Sequence, residues 1–160
     1  MGTRLRYEKM IRDSFPAIRW LRVYSPGNFT AYVYACDEML RLPDELIGSL
    51  NAFLREMGAA HLEHVVKHYF CLKDDHVPSS DWLPPAIAEL ALACELNAAG
   101  VKKSIACAFP FLDPTYLKVE SDKAFFKISP GRNLTEEELF IFDRFLPEIL
   151  PLGIQVKLEN

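Results

Sequence analysis

The chain has 160 residues, of which 50% are hydrophobic and 25% charged, and its formal net charge is −4. This composition, with a mean hydropathy of +0.02, excludes disordered, collagen-like and membrane-spanning chains. A chain of this length buries roughly 68–70% of its unfolded surface, so it needs no disulfide or metal to hold a core. We therefore expect a single globular domain over residues 1–160.

The sequence carries no recognisable signal for export or membrane insertion. Its first ten residues, MGTRLRYEKM, lack the apolar stretch of a secretory signal, and the longest apolar run, at 105–112, is too short to cross a bilayer. The four cysteines lie far apart among apolar residues, which favours reduced thiols. These observations predict a cytoplasmic protein without a membrane partner.

Basic side chains are concentrated at the start of the chain. Residues 1–22 contain six basic and two acidic side chains, so the remainder of the chain is strongly acidic. An acidic body repels a polyanion, and no RNA-binding motif is present, so we do not expect a nucleic-acid partner. We interpret the basic segment as the solvated face of a helix.

The sequence of the first half predicts a helix, two strands, a second helix and a third strand, in that order. Ser-Pro-Gly-Asn at 25–28 is a turn signal between two runs rich in aromatic and β-branched residues, which indicates a β-hairpin. Pro43 begins the second helix and Gly58 ends it. The predicted elements are a helix at 3–13, strands at 17–24 and 29–36, a helix at 43–58, and a strand at 62–72.

The second half predicts a similar order after a polar connection at 73–83. Thr135 and Glu138 have the spacing of a capping box, which indicates the start of the last helix. Pro147 is expected to kink or end that helix. The predicted elements are a helix from Pro84 to Gly100, strands at 104–111, 116–120 and 124–129, a helix at 135–150, and a strand at 154–158.

The two halves resemble each other in sequence as well as in predicted order. Residues 42–62 align with 134–154 without a gap, and identical or similar residues occupy about half of the aligned positions. Any two amphipathic helices match on their apolar faces, but here the acidic positions match too. We interpret the chain as an internal tandem duplication with pseudo-repeats at about 3–72 and 84–160.

The repeated order predicts the fold class. Helix–strand–strand–helix–strand is a ferredoxin-like unit that lacks its first strand. We therefore expect an α+β fold, a two-layer sandwich of an antiparallel sheet with helices on one face. The opposite face of such a sheet needs water, a ligand or a partner.

The histidines provide the one candidate metal site. All four lie between residues 61 and 76, and His68, Asp74, Asp75 and His76 surround a predicted turn where they could share an ion. His64 and His68 lie too far apart on a strand to do so. No nucleophile motif or phosphate-binding glycine loop is present, so no catalytic residue and no other cofactor is expected.

Aromatic side chains favour protein recognition. Tyrosine and tryptophan dominate interface energies because they offer a large contact area with few rotatable bonds. The candidate interface residues are Trp20, Tyr24, Tyr32, Tyr34 and Trp82. We expect a non-catalytic module that binds another protein, such as an inhibitor, immunity protein, adaptor or assembly component. The alternatives are a small-molecule- or metal-binding domain or enzyme with its site between the repeats, and a symmetric homodimer.

Overall fold

The computed structural model describes residues 2–79, 82–122 and 125–159 and shows a mixed α+β fold with two three-stranded sheets. Within this part of the chain, no helix combines the length and apolar character that crossing a membrane requires. The elements of the first half are α1 (Arg4–Ser14), β1 (Ile18–Gly27), β2 (Thr30–Asp37), α2 (Asp44–Met57) and β3 (Glu63–His68). The remaining elements are α3 (Cys71–Asp74), α4 (Pro85–Ala93), α5 (Ala98–Ala108), β4 (Lys118–Ser121), β5 (Phe125–Ser129), α6 (Glu136–Phe145), a 3-10 helix (Leu146–Ile149) and β6 (Gln155–Leu158).

The N-terminal sheet contains β1, β2 and β3 with β2 in the centre. Strand β2 pairs antiparallel with β1 and parallel with β3. Alternate residues of each strand point to opposite faces, and α1 and α2 pack on one of them. The buried residues of this core include Tyr7, Ile11, Leu21, Val23, Ala31, Val33, Ala35, Leu50 and Leu54.

The C-terminal sheet repeats this pairing. Strand β5 lies between β4, which is antiparallel to it, and β6, which is parallel to it. A second apolar cluster covers one face of this sheet. Its buried residues include Ile87, Val101, Ile105, Phe109, Leu117, Phe126, Ile128, Phe142 and Ile149.

The strand arrangement differs from the expected antiparallel sheet in two respects. There are two sheets in the described chain, and each contains one parallel pair. The parallel pairs arise because α2 and α6 each connect two neighbouring strands. A helical crossover returns the chain to the starting edge, so the next strand runs in the same direction as the one before.

The prediction for residues 84–111 is wrong at its centre. The chain leaves helical geometry after Ala93, and residues 98–108 form α5 rather than the predicted strand at 104–111. Asn97 begins α5 because its side-chain oxygen accepts the backbone N–H of Gly100 at 2.8 Å. A Cβ at Gly100 would clash with the carbonyl oxygen of Glu95, so a glycine permits this close connection between α4 and α5.

The other elements agree closely with their predictions. Thr135 and Glu138 form the capping box of α6 as predicted. The β-hairpin also forms, but residues 25–27 of the predicted turn lie in β1, and the turn falls at residues 28–29. Pro147 lies in the 3-10 helix that replaces the last turn of the predicted helix. Strand β3 is shorter than predicted because the chain turns into α3 after His68. Residue 124, the predicted start of β5, lies outside the described residues.

Arg4 corrects the interpretation of the basic N-terminal segment as a solvated face. Its residue surface is only 8% exposed. Its guanidinium donates to Glu8 at 2.8 Å within α1 and to Glu148 at 2.7 Å in the 3-10 helix of the other half. Glu8 also accepts the backbone N–H of Val23 at 3.0 Å. This buried network joins α1, β1 and the C-terminal half.

Replacing Arg4 with Met tests the importance of this network for stability. The Arg4→Met variant leaves Glu8 and Glu148 buried without their cation, so we expect the free energy of unfolding to fall by about 3–5 kcal/mol. Lys9→Met is the matched control, since its ion pair with Asp13 joins side chains that are each 63% exposed, and it should cost at most about 1 kcal/mol. Urea denaturation measures both values. Equal losses for the two variants would contradict this role for Arg4.

Candidate functional site

The outer face of the N-terminal sheet is the face turned away from α1 and α2. The alternation along the strands places aromatic and charged side chains there. β1 contributes Trp20, Arg22 and Tyr24, whose β2 partners are Cys36, Tyr34 and Tyr32. β3 adds Val65 beside Tyr32 and Lys67 beside Tyr34. Tyr32 and Tyr34 therefore share this face of the sheet.

The segment after β3 folds back over this face. We call residues 69–79 the covering segment. Asp75 accepts a hydrogen bond from the Tyr34 hydroxyl at 2.7 Å and pairs with the Lys67 ammonium at 2.7 Å. A guanidinium nitrogen of Arg22 donates to the carbonyl oxygen of Pro78 at 3.2 Å. As a result the Tyr34 side chain is fully buried.

The electrostatics of this contact follow from its hydrogen bonds. Hydrogen bonds from Lys67 and then Tyr34 hold the pKa of the Asp75 carboxyl below its ordinary value. Burial first, and the Asp75 hydrogen bond second, raise the pKa of the Tyr34 hydroxyl well above its usual range. The hydrogen bond to Asp75 also raises the pKa of Lys67. The contact therefore favours a charged pair with a protonated tyrosine.

The predicted interface residues are not equally accessible. Trp20 and Trp82 are 47% and 64% exposed, whereas Tyr24 and Tyr32 are half-buried. Tyr34 is inaccessible while the covering segment is in place. Trp82 follows residues 80–81, which lie outside the described part of the chain. The shared role of these residues in an interface stays a prediction.

A cluster of exposed apolar side chains lies at one end of the N-terminal sheet, where β1 begins and β2 and β3 end. We call it the end patch. Its members are Trp20, Met39, Leu40 and Phe70, which are 47%, 69%, 45% and 60% exposed.

Two ring contacts lie in the end patch, and the strand alternation places them on opposite faces of β3. The Trp20 ring lies 6.0 Å from that of Tyr69, and the His68 ring lies 4.8 Å from that of Phe70. His68 Nε2 also bonds the carbonyl oxygen of Leu40 at 3.0 Å. Sequence reasoning found Trp20 alone. The signal missed for the others was Met39-Leu40, an apolar pair between the charged residues Glu38 and Arg41.

The candidate metal ligands have other partners. His68 donates through Nε2 to Leu40, and its Nδ1 accepts the backbone N–H of Phe70 at 3.2 Å, so both ring nitrogens are occupied. Asp75 is held by Tyr34 and Lys67, while Asp74 and His76 are exposed. Across the described residues, no three His, Cys, Asp or Glu side chains are grouped to hold a metal ion. The structure thus does not assemble His68, Asp74, Asp75 and His76 into a ligand set.

A cavity of about 440 Å³ lies between the two halves. Arg22, Tyr24 and Ser25 line it from the N-terminal half, and Arg144 and Glu148 line it from the C-terminal half. Burial, followed by the proximity of Arg4, lowers the pKa of Arg22. Sequence reasoning expected a cleft at this junction but identified none of these residues, because they come from distant parts of the chain.

Comparison with known proteins does not assign the chain to a family. No protein-family model matches it, and no characterised protein is significantly similar to it in sequence.

We expect the covering segment to loosen when Asp75 is replaced or protonated. Because the pKa of Asp75 is lowered in the fold, its contacts are stabilising above the ordinary pKa of aspartate and are lost as the pH falls through the lowered value. We expect Asp75→Asn to increase amide hydrogen exchange in residues 69–79 several-fold at neutral pH and to remove its acid dependence. The neighbouring Asp74→Asn is the control and should behave like the parent chain. Unchanged exchange in Asp75→Asn would refute this role.

Proposed function

We propose that this chain is a non-catalytic module that binds another protein, and that the end patch is its contact surface. The observation that carries the proposal is the exposure of Trp20, Met39, Leu40 and Phe70, at 45–69%, around one end of a sheet. The partner surface is apolar, such as the apolar side of a helix or loop.

The energetics of burial favour this function. Covering a side chain the size of Phe or Met contributes roughly 1.5–3 kcal/mol when its burial is complete. Tryptophan is enriched among the residues that dominate binding energy, and the flexible Met39 can adapt to a partner surface. The end patch therefore combines rigid aromatic groups with one adaptable side chain.

The hydrogen bonding of the buried polar groups also favours a binding function over catalysis. Among the described residues, every buried side-chain nitrogen and oxygen already has a hydrogen-bond partner. Buried Glu8 and Glu148 are both engaged by Arg4. A general acid or base needs a group that can exchange a proton with a substrate, and these carboxylates are committed to an ion pair.

We also propose that the two halves arose by duplication of a shortened ferredoxin-like unit. Helix α2 at 44–57 corresponds without a gap to α6 and the 3-10 helix at 136–149. Helices α1 and α5 end in the same backbone geometry, with φ −128° and ψ 76° at Phe15 and φ −123° and ψ 82° at Phe109. In each half the last strand takes the place of the missing first strand.

The cavity between the halves favours a second candidate, the binding of a small anionic molecule. Clefts at the junction of two structural units are common ligand sites. Arg22 and Arg144 offer guanidinium groups along its lining, and Tyr24 lies beside them. A carboxylate or phosphate group matches the planar donors of arginine.

Introducing negative charges into the end patch tests the leading proposal. Phe70→Glu combined with Met39→Glu should weaken binding of a captured partner about 30-fold or more, the loss expected when hot-spot residues are removed. Phe140→Glu is the control, because Phe140 is 68% exposed on α6 in the other half. Affinity capture with quantitative mass spectrometry identifies the partner, and calorimetry measures its affinity. Equal binding by the two variants would refute the end patch as the contact surface.

Ligand screening tests the second candidate. Small carboxylates and phosphates should raise the melting temperature of the parent chain, and Arg144→Ala should abolish that increase by removing one of the anion-binding groups. Arg55→Ala, on the exposed side of α2, should leave the increase intact. No increase with any anion, or an equal increase in Arg144→Ala, would exclude this ligand class from the cavity.

A further inference from the structure

Strand β3 lies at an edge of the N-terminal sheet, since the strand order is β1-β2-β3. The backbone N–H of Glu63 donates to Phe29, and that of Tyr69 donates to Ala35, so the odd-numbered residues direct their backbone groups towards β2. By the alternation of a β-strand, His64, Val66 and His68 direct theirs away from the sheet. Within the described chain, no backbone hydrogen bond reaches these outward groups.

The opposite edge of the sheet is already occupied. On β1, the backbone N–H of Val23 donates to the Glu8 carboxylate at 3.0 Å, and the carbonyl oxygen of Leu21 accepts from Arg12 at 3.4 Å. Side chains of α1 thus satisfy two of the outward groups of β1. The residues of β3 are all partly or fully exposed, so its edge is open to another strand.

We propose that β3 pairs antiparallel with β3 of a second copy of this chain, which joins two N-terminal sheets into one of six strands. Two-fold symmetry requires that each contact occur twice. The residues whose backbone groups point away from the sheet must also lie opposite one another. Only these groups can form hydrogen bonds across the interface. These two conditions leave several registers, which differ in the residue of β3 that lies at the centre of the pair: His64, Val65 or Val66.

Charge selects one of these registers. With Val65 opposite Val65 of the second copy, Glu63 faces Lys67 of the second copy, and the symmetry forms this pair twice. Glu63, Val65 and Lys67 share one face of the sheet, so opposite charges flank an apolar centre. Opposite charges directly across an antiparallel pair stabilise it.

The adjacent registers lack this match. Centring the pair on Val66 places Glu63 opposite Tyr69 and Val65 opposite Lys67. Centring it on His64 places Glu63 opposite Val65. Glu63 has no ion-pair partner among the described residues of its own chain, so the Val65-centred register gives it one. This self-pairing uses neither Phe70 nor Met39 and does not depend on the proposed function.

A charge-swap experiment tests both the dimer and its register. The parent chain should sediment as a dimer at high micromolar concentration. Glu63→Lys and Lys67→Glu, each alone, place like charges opposite each other twice and should weaken the dimer about tenfold or more. An equimolar mixture of the two variants should form a heterodimer, because both cross-strand pairs are then attractive. Native mass spectrometry distinguishes it from the homodimers.

The control variant carries its change of charge away from β3. Glu56→Lys makes the same change of charge at an exposed position of α2 and should leave the dimer intact. Circular dichroism verifies that each variant is folded, which matters for Lys67→Glu because it also breaks the pair with Asp75. A parent chain that stays monomeric, or variants whose mixture does not form a heterodimer, would overturn the proposal. The Phe70→Glu and Met39→Glu variant should still dimerise even if it binds no partner protein.

Discussion

The buried guanidinium of Arg4 is the interaction on which the arrangement of the two halves depends. It neutralises Glu8 on its own helix and Glu148 in the C-terminal half, and Glu8 in turn holds the backbone of β1. Removing charges from water costs several kcal/mol for each ion, so such a cluster is stable only when every member is paired. Correct docking of the halves is therefore tied to the completion of this network rather than to apolar contact alone.

The faces and edges of the N-terminal sheet differ in how far the rest of the chain covers them. Helices α1 and α2 bury one face, the covering segment protects part of the other through Asp75, and α1 side chains occupy the edge at β1. Among the described residues of this sheet, the end patch and the edge of β3 stay exposed. The two proposals above assign these surfaces to contacts with other chains.

Local signals predicted much of the fold. Three such signals are the hairpin turn at 25–28, Pro43 before α2 and the capping box of Thr135. Each acts within a few residues, and the hairpin, α2 and α6 form at these signals or within a few residues of them. The apolar run around Ile105 misled the prediction because a short apolar stretch fits either a strand or a buried helix. Asn97, the residue that decides in favour of the helix, resembled an ordinary polar residue within a longer helix.

The candidate site was harder to predict because its contacts are not local. Tyr34 was expected in an interface, but its burial depends on Asp75, and the turn predicted near residues 68–76 does not indicate that the chain folds back over the outer face. His76 adopts a positive φ of 52° without being a glycine, so the sequence does not show the direction of this turn. Arg4 and Glu8 likewise have the spacing of a surface helix pair, and only the distant Glu148 makes them interior residues.

The separation of Arg4 and Glu148, which are 144 positions apart, has a consequence for biosynthesis. A ribosome adds roughly 5–20 residues each second, so the beginning of the nascent polypeptide waits for many seconds before its distant counter-ion emerges. During that interval Arg4 can pair only with Glu8, and the part of α1 that the C-terminal half later buries stays in contact with water. The ion-pair network that joins the two halves is therefore completed late in the synthesis of this chain.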